Sequence, residues 1–161
     1  MLEFIVFREL NRCRKEGKRL KNLGQRLRPV SESGDADSME KALSAACAAR
    51  FGTVWMNYYI QVPGTAAAEI DVLAETEDAG SCGSLVFEMK NRDEKNPPTV
   101  ADAETFAAKI SMLEQQIKQK GKKISFVCPV YLSAEGFEPG TEAWLHEQGI
   151  FTADMETWEC S

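Results

Sequence analysis

The chain has 161 residues, of which 43% are hydrophobic and 27% charged, a composition that suits one ordinary hydrophobic core. No apolar run approaches the roughly 18 residues of a membrane span, and residues 2–7 lack the flanks of a secretory signal. We therefore expect a cytoplasmic protein with no membrane partner. Five cysteines stand apart without a Cys-x-x-Cys pair, which indicates reduced thiols rather than a zinc site.

Charge is distributed unevenly along the chain. Residues 1–30 carry nine Lys and Arg against three acids, whereas residues 31–161 carry ten against 22. Apolar residues at helical spacing predict that residues 1–30 form a basic helical arm. Such a segment suits a nucleic-acid arm, a dimer helix, the remnant of an upstream domain, or a helix that packs on its own body. The acidic remainder would bind nucleic acid poorly by itself, because backbone affinity comes from Lys and Arg.

The remaining elements alternate between helix and strand. Residues 31–37, rich in Ser, Gly and Asp, predict a linker before a domain at 38–161, and Ser38 can cap the alanine-rich helix that carries Glu40. The pattern then predicts strands at 53–62, 69–74 and 85–91, a helix at 101–120, a strand at 123–132, a short helix at 141–148 and a strand at 150–153. The order α-β-β-β-α-β-α-β predicts an α/β fold, in which an antiparallel meander precedes a right-handed helical crossover.

Two of the predicted strands carry ionisable side chains among apolar residues. Asp71 lies in the second strand, and Glu88 and Lys90 lie in the third. Charges inside buried strands are costly unless they are paired, hydrated or bound to a metal. Residues two apart share a face, which groups Glu88 with Lys90 and Glu69 with Asp71. A Gly-rich link at 78–83 favours a hairpin that would set Asp71 beside Glu88, as a divalent-metal site for phosphodiester cleavage requires.

This order, with an acid in the first helix, Asp71 in the second strand and Glu88-x-Lys90 in the third, resembles the PD-(D/E)xK superfamily of restriction-endonuclease-like nucleases over residues 38–154. The resemblance implies a three-layer core with a mixed β-sheet. It also implies that Asp71 and Glu88 bind one or two Mg²⁺ ions, that Lys90 positions or activates the attacking water, and that Glu40 completes the metal shell. The Pro that precedes the Asp in the family is absent here, and Glu69 is either an additional site acid or a surface residue.

Other patterns and polar residues qualify this hypothesis. Acid-x-Lys also occurs at 16–18 and 93–95, but only Glu88 lies on a buried strand beside another strand that bears an acid. An ion pair of Lys90 with Asp71 or Glu88 is the purely structural alternative.

Four further polar residues are predicted to face solvent. Lys109, Gln115 and Gln116 lie on the long helix at 101–120, and such helices sometimes supply a polar residue to the active site in this family. His146 lies in a polar stretch and is expected to be a solvated helix residue.

Together, these features predict a divalent-metal-dependent nuclease. Mg²⁺ or Mn²⁺ would be its cofactor, and nucleic acid, with DNA favoured over RNA, its substrate. The alternative is a catalytically silent nuclease-fold module that binds nucleic acid or protein within a larger assembly. Both a homodimer and a partner in a larger complex stay open.

Overall fold

The computed structural model has a central five-stranded sheet with helices on both faces, and it describes residues 2–20, 23–28, 36–76, 78–90 and 96–154. The helices are α1 (Leu2–Glu16), α2 (Leu23–Arg26), α3 (Ala36–Ala48), α4 (Val100–Gln119) and α5 (Thr141–Glu147). The strands are β1 (Phe51–Ile60), β2 (Ala68–Thr76), β3 (Ser81–Lys90), β4 (Lys123–Ser133) and β5 (Phe151–Ala153). Within these residues, no helix is long and apolar enough to cross a membrane.

The sheet is mixed, with its strands in the order β1-β2-β3-β4-β5. The first three strands are antiparallel, and β4 and β5 continue the sheet in parallel with β3. Because parallel neighbours need a crossover, α4 connects β3 to β4, and it begins with a capping box formed by Thr99 and Asp102. The prediction of an α/β protein is confirmed.

Two hydrophobic clusters fill the space on either side of the sheet. One packs α1, α2 and α3 against the sheet, through residues such as Leu10, Met39 and Phe87. The other packs α4 and α5 against the opposite face, through residues such as Phe106 and Tyr131. We call these the α1–α3 face and the α4 face.

The N-terminal segment is part of this body rather than a separate arm. Val6, Leu10, Leu23 and Leu27 are at most 4% exposed and belong to the cluster on the α1–α3 face. The predicted arm is also not one helix, because Gly17 adopts φ +64° and ends α1. Most of its described basic residues are exposed on the outer side of these helices, whereas Arg26 is buried.

The predicted linker at 31–37 lies largely outside the described residues. Its last two positions are helical, because α3 begins at Ala36. Ser38 therefore lies inside the first turn of α3 instead of capping it.

The first hairpin reverses its faces part way along its length. In β1, Met56 packs on the α1–α3 face, but Tyr58 packs on the α4 face. A regular strand would put both on one side. The residue between them, Asn57, has φ 54°, a left-handed conformation that Asn tolerates better than most residues. Here β1 and β2 turn over together.

The four described cysteines, Cys13, Cys47, Cys82 and Cys128, are free. Burial raises the pKa of the Cys82 thiol to about 11 and raises that of Cys128 as well. Thiols that stay protonated are poor nucleophiles and poor metal ligands, so these two serve as small core residues. Cys160 lies outside the described residues.

Candidate functional site

Asp71 and Glu88 lie side by side on neighbouring strands. The β2–β3 ladder pairs Val72 with Phe87, so the next position along it sets Asp71 opposite Glu88. The Asp71 carboxyl group is close enough to raise the pKa of Glu88. Asp71 is held by the Met89 backbone N–H, which donates to its Oδ2 at 2.9 Å. The register required by the sequence hypothesis is thus present.

Lys109 of α4 supplies the cation that faces this pair. Its Nζ donates to Glu88 Oε2 at 2.9 Å, and its side chain is 19% exposed. Glu88 itself is only 7% exposed. Burial and then the adjacent Asp71 raise the pKa of Glu88 to about 7, against the opposing effect of Lys109. At neutral pH Glu88 is therefore protonated in part of the population.

Lys90 occupies a different position from the one that the ion-pair alternative requires. It is the last residue of β3, partly exposed, and by strand alternation it lies on the same face as Glu88. In the described part of the chain, the ion pair on Glu88 comes from Lys109 and not from Lys90. The Cα atom of Lys90 therefore lies about 7 Å along the strand from that of Glu88.

The structure does not bring Glu40 or Glu69 to this pair. Glu40 is exposed on α3, whose helix packs on the α1–α3 face. Glu69 lies opposite Tyr59 on the β1–β2 ladder, and its carboxylate raises the pKa of that exposed tyrosine. The turnover of β2 explains the second result, because Ile70 packs on the α4 face and Glu69 points away from it. Among the described residues, no cluster of three or more His, Cys, Asp or Glu is arranged to hold a metal.

The expectation that Lys109 and Gln116 are solvated was wrong. Gln116 is 9% exposed. Its side chain accepts a hydrogen bond from the Gln61 N–H at 3.0 Å and donates one to Tyr58 Oη at 2.7 Å. These two bonds connect the end of β1 to α4. Lys109 and Gln116 are seven residues apart and each precedes a buried Ile, so helical periodicity already placed both beside the buried stripe. Gln115 is exposed, as expected.

His146 also differs from its prediction, since it is half-buried and bonded. Its Nε2 lies 2.9 Å from Thr152 Oγ1, and desolvation lowers its pKa. Arg28 joins the same polar cluster through ion pairs with Glu142 and, at 3.0 Å, with Asp154. The β3–β4–β5 register places Thr152 two strands from Glu88, about 10 Å across the sheet. This cluster connects the end of α2 to β5 and α5.

The chemistry available at the main site is that of a hard-cation ligand pair. Two adjacent carboxylates repel each other, so they need a proton, a lysine or a metal between or beside them. Mg²⁺ commonly binds through one or two carboxylates, with waters and substrate phosphates completing the shell. Asp71 and Glu88 fit that donor set, and their orientations are fixed by Met89 N–H and Lys109.

Fold and site thus define an α/β protein with a mixed sheet and a paired-carboxyl centre near the end of β3. No protein-family model and no curated protein sequence matches the chain. A solved structure similar to it is the crystal structure of a protein of unknown function, AF1548, with 17% sequence identity and a TM-score of 0.49. The match covers 74% of this chain and 63% of AF1548, so the chain spans less than two thirds of that protein's length.

Proposed function

We propose that this protein is a divalent-metal-dependent nuclease of the PD-(D/E)xK type, with DNA favoured over RNA as its substrate. The observation that carries the proposal is that Asp71 and Glu88 lie side by side on adjacent strands, with Glu88 buried. We also propose that the elements from α3 to β5 form a restriction-endonuclease-like core, because their order suits that fold.

In the proposed mechanism, Asp71 and Glu88 would hold the cation through their carboxylate oxygens. Bound Mg²⁺ or Mn²⁺ would acidify a water and neutralise charge on the phosphodiester. Lys109 keeps Glu88 oriented and lowers the cost of its ionised form inside the sheet. Lys90, the last residue of β3, would offset the charge of the substrate phosphate and orient the attacking water. Glu40 and Glu69 have no part in this version of the site.

A catalytically silent module is the second candidate function, and three observations favour it. Lys109 already compensates Glu88, and fewer than three metal-ligating side chains are grouped there among the described residues. Net charge of −6 also disfavours binding to polyanions. Such a module would occupy its site with a protein or nucleic-acid partner and would hydrolyse nothing.

A cleavage assay separates the two functions. The purified protein is incubated with single-stranded, duplex and branched DNA and with RNA, in Mg²⁺, Mn²⁺ or EDTA. We expect metal-dependent cleavage that Asp71→Asn and Lys90→Ala abolish, whereas Asp78→Asn and Lys118→Ala, at exposed positions away from the pair, retain it.

A stability measurement provides a readout that is independent of turnover. Saturating Mn²⁺ should raise the melting temperature of the wild type and leave that of Asp71→Asn unchanged, because a ligand of the folded state stabilises it by mass action. Stabilisation without cleavage of any substrate would favour the silent module. If Mn²⁺ neither stabilises the protein nor supports cleavage, the metal site itself is refuted.

A further inference from the structure

A basic pocket opens beside the C-terminal end of α1, on the α1–α3 face of the sheet. It has a volume of about 650 Å³. Gly17 ends the helix with φ +64°, and the Lys18 N–H donates to the Cys13 carbonyl at 2.9 Å, which turns residues 18–20 back along α1. The buried side chains of Cys13, Leu20 and Leu23 form its apolar floor.

The side chains around this pocket are mostly cationic. Its lining cations are Arg12, Lys18, Arg19, Arg26 and Arg50, and Glu9 is the acid among the lining residues. Glu9 forms an ion pair with Arg26, whose Nη1 lies 2.6 Å from the Glu9 carboxylate. The Arg26 side chain is 10% exposed and that of Glu9 is 19% exposed. That ion pair holds α2 against α1 and leaves four cations on the rim.

Little neutralises those four cations. Arg12 and Lys18 share the exposed carboxylate of Glu16, at 3.4 Å and 3.0 Å, and exposed pairs of this kind contribute little and are screened by salt. Among the residues that the structure describes, no carboxylate pairs with Arg19 or Arg50. A concentration of positive charge therefore persists in a chain whose net charge is −6.

We infer that this pocket binds a ligand that carries two or more adjacent phosphate groups. Guanidinium groups match phosphate oxygens through paired N–H donors, and the volume is that of a small-molecule site rather than of a single phosphate. Nucleoside triphosphates and inorganic triphosphate share this chemistry. The pocket is separate from the Asp71–Glu88 pair, because it lies on the other face and Arg50 adjoins Phe51, at the far end of the β1–β2 ladder. The inference does not depend on the proposed nuclease activity.

Calorimetric titration of the full chain with ATP and with inorganic triphosphate, in EDTA and at low salt, tests the inference. Removing two guanidinium groups, as in Arg19→Gln combined with Arg50→Gln, should weaken binding by more than about tenfold. The matched double variant Arg8→Gln with Lys118→Gln removes the same charge at exposed positions outside the pocket and should bind as the wild type does. A thermal melt checks that both double variants fold. If the variant with Arg19→Gln and Arg50→Gln does not fold, the single variant Lys18→Gln replaces it in the titration.

The two probes also identify the source of the phosphates. Tighter binding of ATP than of inorganic triphosphate would support a nucleotide, and equal binding would support an inorganic polyphosphate. The inference is overturned if neither probe binds, or if both double variants weaken binding equally. A single-stranded oligonucleotide that binds through Arg19 and Arg50 and is not displaced by triphosphate would also overturn it, since the pocket would then be a nucleic-acid grip.

Discussion

Glu88 is subject to two opposing effects at the level of single residues. Its burial and its neighbour Asp71 favour the protonated carboxylic acid, while the Lys109 ammonium favours the carboxylate. The first two prevail, so the pKa of Glu88 rises to about 7 from an ordinary value of 4.5. The folded chain therefore loses stability as Glu88 ionises.

This shift predicts how stability depends on pH. Because Glu88 binds its proton more tightly in the folded chain, its contribution to stability is fully present below about pH 4.5 and is lost as pH rises through about 7. Replacing it by Gln, which stays neutral, should therefore raise the free energy of unfolding at pH 8 by about 1 to 3 kcal/mol relative to the wild type, with little gain at pH 5. Urea unfolding in EDTA at both pH values measures this difference.

Glu104→Gln is the matched control, since Glu104 is exposed on α4. It should change stability similarly at the two pH values. If Glu88→Gln behaves like this control, the fold does not raise the pKa of Glu88.

At the level of single elements, β3 contains a glycine, Gly83, that a larger residue cannot replace without moving the side chain beside it. A Cβ built on Gly83 would lie 2.1 Å from Cε1 of Phe126, whose ring covers the strand from β4. Gly83→Ala should therefore displace the ring and destabilise the fold by about 1 to 3 kcal/mol. Chemical denaturation measures this cost. Gly80→Ala in the preceding turn, where a Cβ meets no atom within 4 Å, should cost much less.

The strands were predictable from sequence because short apolar runs between turn residues indicate strands that are buried on both faces. Asp71 and Glu88 were expected to be neighbours for the same reason, since each interrupts an apolar run on one of two adjacent strands. The side chain that neutralises Glu88 was missed, because a lysine at the margin of a helical stripe can extend to solvent or turn inward, and spacing does not distinguish these conformations. Only the position of α4 over β3 decides that Lys109 turns inward.

Glu69 shows a different limit of sequence patterns. The period of two predicted that it shares a face with Asp71, but the hairpin turns over between them. The left-handed residue opposite this point is Asn57. An Asn in a strand is a weak signal, because left-handed backbone is one of several conformations that it tolerates, so the reversal could not be located without coordinates.

At the level of the whole molecule, the basic and acidic parts of the chain share one hydrophobic cluster. Residues 1–30 are basic and the rest is acidic, yet α1 buries its apolar side in the same cluster as α3 and the sheet. Attraction between this basic helix and the acidic body stabilises the fold only weakly, because exposed charges are screened over about 10 Å at moderate salt. Apolar burial is therefore what joins the N-terminal segment to the fold.

That conclusion predicts a contrast between two side chains of α1. Leu10 is 1% exposed and Phe4 is 50% exposed. Leu10→Ala should lower the free energy of unfolding by about 2 to 4 kcal/mol, because it leaves a cavity in the shared cluster, and Phe4→Ala should lower it by less than about 1 kcal/mol. Unfolding of Leu10→Ala, followed by far-ultraviolet circular dichroism and by tryptophan fluorescence, should give one coincident transition, since α1 and the sheet lose their contacts together. An early transition confined to the helical signal, or equal costs for the two variants, would instead identify residues 2–20 as an independent arm.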